Sequence, residues 1–217
     1  MRKLTPLVLS ALLIFGFVRS SHAYAFEWLW WPNGNVWFWL QLRPTQYRLG
    51  SRLPKFPMWD GSASFEASFC DAMFDWSYFI QKIQLQSVIF NSPYGSDGDG
   101  NNHVWFNSES GGDSFSGETL AVTQYYSYTN YPVFAEADIT FNSNVWWESF
   151  RGPLKPYAVS DFHRVALHEL GHAIGLDHPD DHGQTVSAIM NSHISDLDFL
   201  SADDIAGAQQ LYGARQH

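Results

Sequence analysis

The stretch from Val165 to His178 reads V-A-L-H-E-L-G-H-A-I-G-L-D-H and constrains the chain more than any other. His168 and His172 stand four residues apart, and on an α-helix that spacing puts both on one face a few ångströms from each other, where two imidazoles can grip a single ion. Glu169 then falls on the flank of that face, close enough to a metal-bound water to take its proton without being a ligand. Gly175 follows His172 by three residues, where a residue free to adopt positive φ ends the helix and turns the chain back. The turn delivers His178. Three neutral imidazoles leave the fourth tetrahedral position open, the arrangement of a catalytic rather than a closed structural metal site.

His168-Glu169-x-x-His172-x-x-Gly175-x-x-His178 resembles the zinc signature of the metzincins, and Ser187-Ala188-Ile189-Met190-Asn191 looks like that clan's Met-turn. Leu200 to Gly213 is similar to the last helix of matrixin catalytic domains, the matrix-metalloproteinase type. The resemblance implies an α+β fold: a twisted, mostly parallel sheet with an antiparallel edge strand, a zinc helix and a C-terminal helix. It implies catalytic Zn2+ on His168, His172 and His178, Glu169 as general base, Met190 beneath the metal, and a protein or peptide as substrate. It also implies that Leu120, Ala121 and Val122 lie at the sheet edge above the metal, where an extended peptide adds as a strand. The structural-zinc loop of matrixins has no visible counterpart, since His103 stands alone in its region, and a second zinc is not expected. Pro179 after His178 is shared with serralysins, but Ser192 where a Tyr would stand and the lack of glycine-aspartate repeats favour a bacterial-type secreted matrixin.

Residues 1–25 read as a signal peptide: Arg2 and Lys3, an apolar run from Leu7 to Val18 too short for a bilayer, and small residues at Ser21-His22-Ala23 or Ala23-Tyr24-Ala25 for cleavage. Residues 26–217 are then a single exported domain, secreted to the periplasm or beyond and monomeric. Asp and Glu outnumber Lys and Arg 22 to 12, and loss of the leader makes the remainder more acidic still. Such a surface argues against nucleic acid and anionic membranes as partners. Cys70 is the only cysteine, so no disulfide can staple the domain; the apolar-periodic helix around it, within Ser62 to about Gln81, predicts a buried thiol.

Trp28, Trp30 and Trp31, then Pro32-Asn33-Gly34-Asn35, then Trp37 and Trp39 read as a β-hairpin whose second arm, Trp37 to Leu42, is the first sheet strand. These aromatics are assigned to packing rather than to a carbohydrate platform. Lys82 to Phe90, Val104 to Phe106, Leu120 to Tyr126 and Val133 to Asn142 read as further strands. Asp97, Asp99 and Asn101 lie on a Gly-rich loop that suits Ca2+ or is an ordinary polar turn. Ser160 is the expected N-cap of the zinc helix, Ser201 with Asp204 caps the last one, and His163, His182 and His193 are read as lying off the metal. Two alternatives to a peptidase stand beside it: a secreted glycan- or protein-binding module with a vestigial zinc site, and a zinc hydrolase of a non-peptide bond. The intact Glu169 argues against the first.

Overall fold

A computed structural model describes residues 23–32, 34–43, 49–91, 97–128, 130–155 and 159–217; all but the last three residues of the leader assigned to 1–25 lie outside them. The chain runs β1 (Ala25–Phe26), β2 (Gly34–Gln41), α1 (Phe65–Phe79), β3 (Ile83–Ile89), β4 (Asn102–Asn107), β5 (Glu109–Ser110), β6 (Asp113–Ser114), β7 (Ala121–Ser127) and β8 (Phe134–Asn142). It continues with β9 (Trp147–Glu148), β10 (Ser160–Asp161), α2 (Phe162–Ala173), β11 (Leu176–Asp177) and α3 (Ala202–Tyr212). Five strands form the main sheet in the order β3-β2-β4-β8-β7. Every neighbouring pair is parallel except β7 against β8, so the expected mostly parallel sheet with an antiparallel edge strand is what forms.

Alternation within the strands divides the sheet into two faces. Phe38, Phe106 and Phe141 point to the helices, where Phe69 of α1 and Phe162 of α2 meet them. Phe162, the first residue of α2, is fully buried, with its ring 4.5 Å from Phe141 and 4.8 Å from Phe65. Trp76 of α1 donates its indole N–H to Leu167 O at 3.0 Å, which locks the two helices together. On the opposite face Trp39, His103 and Trp105 pack ring to ring.

Three local expectations are corrected. Phe26 to Leu42 is not a hairpin: β1 pairs antiparallel with β11, while both edges of β2 are taken in parallel by β3 and β4, which leaves no edge for a returning arm. Cys70 is exposed, 3.4 Å from Ser87 Oγ, because Phe65, Phe69, Ala72, Met73 and Trp76 define the buried stripe of α1 and position 70 falls on its outer side. Ser160 belongs to β10, and Asp161 stands at the N-cap of α2 without capping it, because its carboxylate is held 3.2 Å from the Arg164 guanidinium.

The aromatic start of the chain is split. Trp31 stacks on Phe134 and donates to Ala173 O at 2.7 Å, as packing predicts, whereas Trp28 is 82% exposed and Trp37 49%. Tyr24 and Ala25, assigned to the leader, contribute to the fold: Ala25 opposes Asp177 in the ladder and Tyr24 lies against Gly207. The capping box predicted for α3 is present, with Ser201 Oγ accepting from Asp204 N and Asp204 accepting from Ser201 N.

Candidate metal centre

His168 and His172 project from one face of α2, and Gly175, at φ +99°, reverses the chain so that His178 returns to them. A Cβ at Gly175 would lie 2.3 Å from Leu29 O, so the turn admits only glycine. The three Nε2 atoms form a near-equilateral triangle with sides of 3.0, 3.0 and 3.2 Å. Among the described residues this is the one group of three or more such side chains whose donor atoms converge closely enough to hold an ion.

The far nitrogens explain why these lone pairs converge. His168 Nδ1 donates to Ile189 O at 2.8 Å, His172 Nδ1 to Leu176 O at 2.9 Å, and His178 Nδ1 to Asp181 Oδ2 at 3.0 Å. With each proton held on Nδ1, every Nε2 presents an unprotonated lone pair to the centre. Three such pairs in contact repel unless a cation lies among them, and tetrahedral zinc, with nitrogens at about 2.0–2.1 Å, asks for spacings of this order. The residues therefore fit a zinc ion. Burial, reinforced by His172 and His178, holds His168 down to about 3, so it stays a neutral ligand across the physiological range.

Glu169 is buried beside the triad, and burial raises its pKa, with His172 and the Thr123 hydroxyl working against that rise. Thr123 comes from β7 and donates to Glu169 Oε2 at 2.6 Å. Because alternate residues of a strand share a face, Ala121 lies on the same side as Thr123 and Val122 on the other. Leu120 immediately precedes the strand, and among the described residues β7 is the edge of the sheet, with no strand paired to its outer rim.

Met190 is buried against α2. A Cβ on Gly171 would stand 2.1 Å from its sulfur, so the glycine between the two helical histidines gives the Met190 side chain room to lie against the helix. Asp204 of α3 accepts from Ile189 N at 2.9 Å and Met190 N at 3.1 Å, tying the Met segment, whose Ile189 carbonyl orients His168, to the last helix. Arg164 does the same for the following loop, donating to Ser195 O and, at 2.7 Å, to Gly152 O. His163 lies off the metal, donating to Ser68 O, while exposed His182 pairs with Asp177 and exposed His193 with Ser192.

Glu27 escapes sequence reasoning entirely. It follows β1, which carries it to β11, and there Oε1 sits 3.3 Å from His172 Nδ1 while Oε2 accepts from Tyr125 OH at 2.6 Å. Burial works against a charged His172, but Glu27, Glu169 and the Leu176 carbonyl together outweigh it and raise the pKa. A carboxylate behind a ligating imidazole raises its basicity and fixes its ring. Glu27→Gln is expected to weaken zinc binding about tenfold, measured by competition with a chromophoric chelator; unchanged affinity would show that Leu176 O alone orients His172.

The second candidate ion site lies on the loop before β4. Asp99 Oδ1 accepts from Asn101 N and Nδ2 at 2.9 and 3.0 Å, and Oδ2 meets His103 Nε2 at 3.1 Å, so Asp99 and Asn101 satisfy one another. His103 is buried, with Nδ1 3.0 Å from Gln41 Oε1. The unspent charge lies in the sheet beneath. Glu136 accepts from Gly98 N and Gly100 N, and Asp138 accepts from His103 N at 2.7 Å while its Oδ2 is buried without a hydrogen-bond partner. Burial, with Glu136 beside it, pushes Asp138 up to about 9.

The matrixin family model matches residues 50–213. Among the curated proteins that align with part of the chain are two metalloproteinases. Macrophage metalloelastase of Oryctolagus cuniculus is 42% identical over 78 residues, 34% of this chain and 14% of that protein. Interstitial collagenase of Bos taurus is 36% identical over 82 residues, 37% of this chain and 15% of that protein. The aligned segments thus span about one seventh of the length of these relatives.

Proposed function

Because the chain belongs to the matrixin family, we propose that it is a secreted zinc-dependent endopeptidase in which His168, His172 and His178 hold the metal and Glu169 is the general base. The observation that carries this reading is the triangle of Nε2 lone pairs with every Nδ1 proton spent elsewhere, set against a buried carboxylate. Zinc, when bound there, supplies a water of lowered pKa and stabilises negative charge on the scissile carbonyl oxygen. Glu169 takes one proton from that water as its oxygen bonds to the carbonyl carbon. It then passes the proton to the peptide nitrogen as the C–N bond breaks, which leaves an acid and an amine and restores the carboxylate. The substrate chain, extended along the free rim of β7, is held by backbone hydrogen bonds of the kind that add a strand to a sheet.

The acidic surface favours protein substrates over nucleic acid or anionic lipid. Among the described residues no helix is long and apolar enough to cross a membrane. Export is supported by the leader-like start of the sequence, and because Tyr24 and Ala25 join the fold, cleavage after Ala23 suits the domain better than cleavage after Ala25. Calcium fits Glu136 and Asp138, with Asp97 nearby, because these carboxylates crowd like charge that a cation would offset, whereas Asp99 and Asn101 already satisfy one another.

Incubation of the mature protein with casein and a quenched peptide library, with zinc and with chelator, tests the reading. Cleavage that chelator abolishes and zinc restores is expected. A zinc-loaded protein that cuts neither would remove the peptidase assignment and favour the binding module.

A further inference from the structure

The edge strand β7 is read above as a rail for substrate, which uses only its backbone. Its side chains carry a separate observation. Thr123 Oγ1 lies 2.6 Å from Glu169 Oε2 and 3.1 Å from the backbone oxygen of the same residue. A hydroxyl has one proton to give, and the bond to an ionised carboxylate is the stronger and shorter of the two. A threonine is not needed here to build a strand, for valine has the same β-branched shape and an equal preference for the pleated surface, as Val122 next to it illustrates. The hydroxyl is what distinguishes this position.

We propose that Thr123 is a positioning residue for the general base, holding Glu169 Oε2 so that Oε1 is the oxygen that exchanges protons with the reaction. When Glu169 is ionised, the hydroxyl donates to Oε2. When Oε1 has taken the proton of water, Oε2 is the carbonyl oxygen of a neutral acid and still accepts from the same hydroxyl. The contact therefore survives the protonation step, and the carboxyl need not rotate between accepting the proton and delivering it to the leaving nitrogen. Groups oriented in advance cost no reorganisation at the moment of reaction. The inference rests on Glu169 acting as base.

Thr123→Val keeps the shape of the side chain and leaves the β7 backbone, and hence the substrate rail, in place. Turnover of a quenched peptide should fall about ten- to a hundredfold, the scale of a small misplacement of a reacting group. KM should stay within about twofold and zinc content should be unchanged. Thr123→Ser, which restores the hydroxyl, should recover most of the turnover. A valine variant with wild-type kcat, or one altered in KM alone, would overturn the proposal. A thermal-melting cycle supplies a readout independent of activity: Thr123→Val should lower the melting temperature by more in the wild type than in a Glu169→Ala background, where the hydroxyl keeps only the backbone oxygen as partner. Equal losses in both backgrounds would show that the hydroxyl does not act through Glu169. Absence of any hydrolysis by the wild-type protein would instead remove the peptidase reading and this role with it, while the melting cycle still reported the contact.

Discussion

Glu169→Gln is expected to lower peptide hydrolysis by at least about a hundredfold while leaving zinc bound and the fold intact, since an amide of the same shape cannot take the proton of water. The isostere keeps the shape of the side chain and loses its basicity. His178→Ala should behave differently. It removes one corner of the Nε2 triangle, whose sides at His178 are 3.0 and 3.2 Å, so the defect is in metal affinity itself. Its residual activity should rise when zinc is supplied in excess, and that of Glu169→Gln should not. Metal analysis after dialysis separates the two: full occupancy in the glutamine variant, depleted metal in the alanine variant. A Glu169→Gln protein that cleaves peptides at a near wild-type rate would eliminate Glu169 as the base, and with it the main ground for preferring a peptidase over a vestigial site.

Asp138→Asn should stabilise the protein when calcium is chelated and abolish its response to calcium. In the folded state Asp138 is pushed up to about 9 from an ordinary value near 3.8. The fold therefore favours the protonated acid. Below about pH 4 both folded and unfolded chains carry the proton and nothing is lost. As pH rises from about 4 to about 9 the unfolded chain has released the proton and the folded chain is penalised, so stability without calcium declines over that window. Glu136, Asp97, Asp99, His103 and Tyr126 surround the same site, and the asparagine variant isolates the share of Asp138 from theirs. Calcium bound at Asp138 and Glu136 would stabilise the wild-type protein by mass action and hold Asp138 ionised. The measurement is a melting temperature in chelator and in millimolar calcium across pH 4 to 9. Equal calcium responses in wild type and variant, or a wild-type profile in chelator that is flat across that range, would remove the site.

The metal triad could be read from the sequence because everything that brings its members together is local. The helical period joins His168 to His172, and one glycine at positive φ returns His178, whatever the rest of the chain does. The caps of α3 and the strands that became β3, β4, β7 and β8 were legible for the same reason, since period and terminal residues act within a few positions. The hairpin failed where a local turn signal met a tertiary competitor: the neighbours of β2 come from residues 83–89 and 102–105, and no pattern in Phe26 to Leu42 records that. Cys70 failed on a single step of phase around α1, which only the packing of Phe69 and Ala72 resolves.

What surrounds the metal was decided by the fold alone. Thr123 reaches Glu169 across 46 residues and Tyr125 reaches Glu27 across 98, and neither pair forms a recognisable spacing. The proposal of Asp138 and Glu136 for calcium turns on a related reason. Asp97, Asp99 and Asn101 announce themselves on a Gly-rich loop, but a loop carboxylate can satisfy itself with neighbouring backbone and side-chain donors, as Asp99 does. Asp138 looks like an unremarkable polar residue alternating along a strand until the sheet closes over it and removes the water that would have hydrated its charge. Burial is a property of the assembled layers, and it is burial that turns an ordinary carboxylate into one that holds its proton well above the usual range.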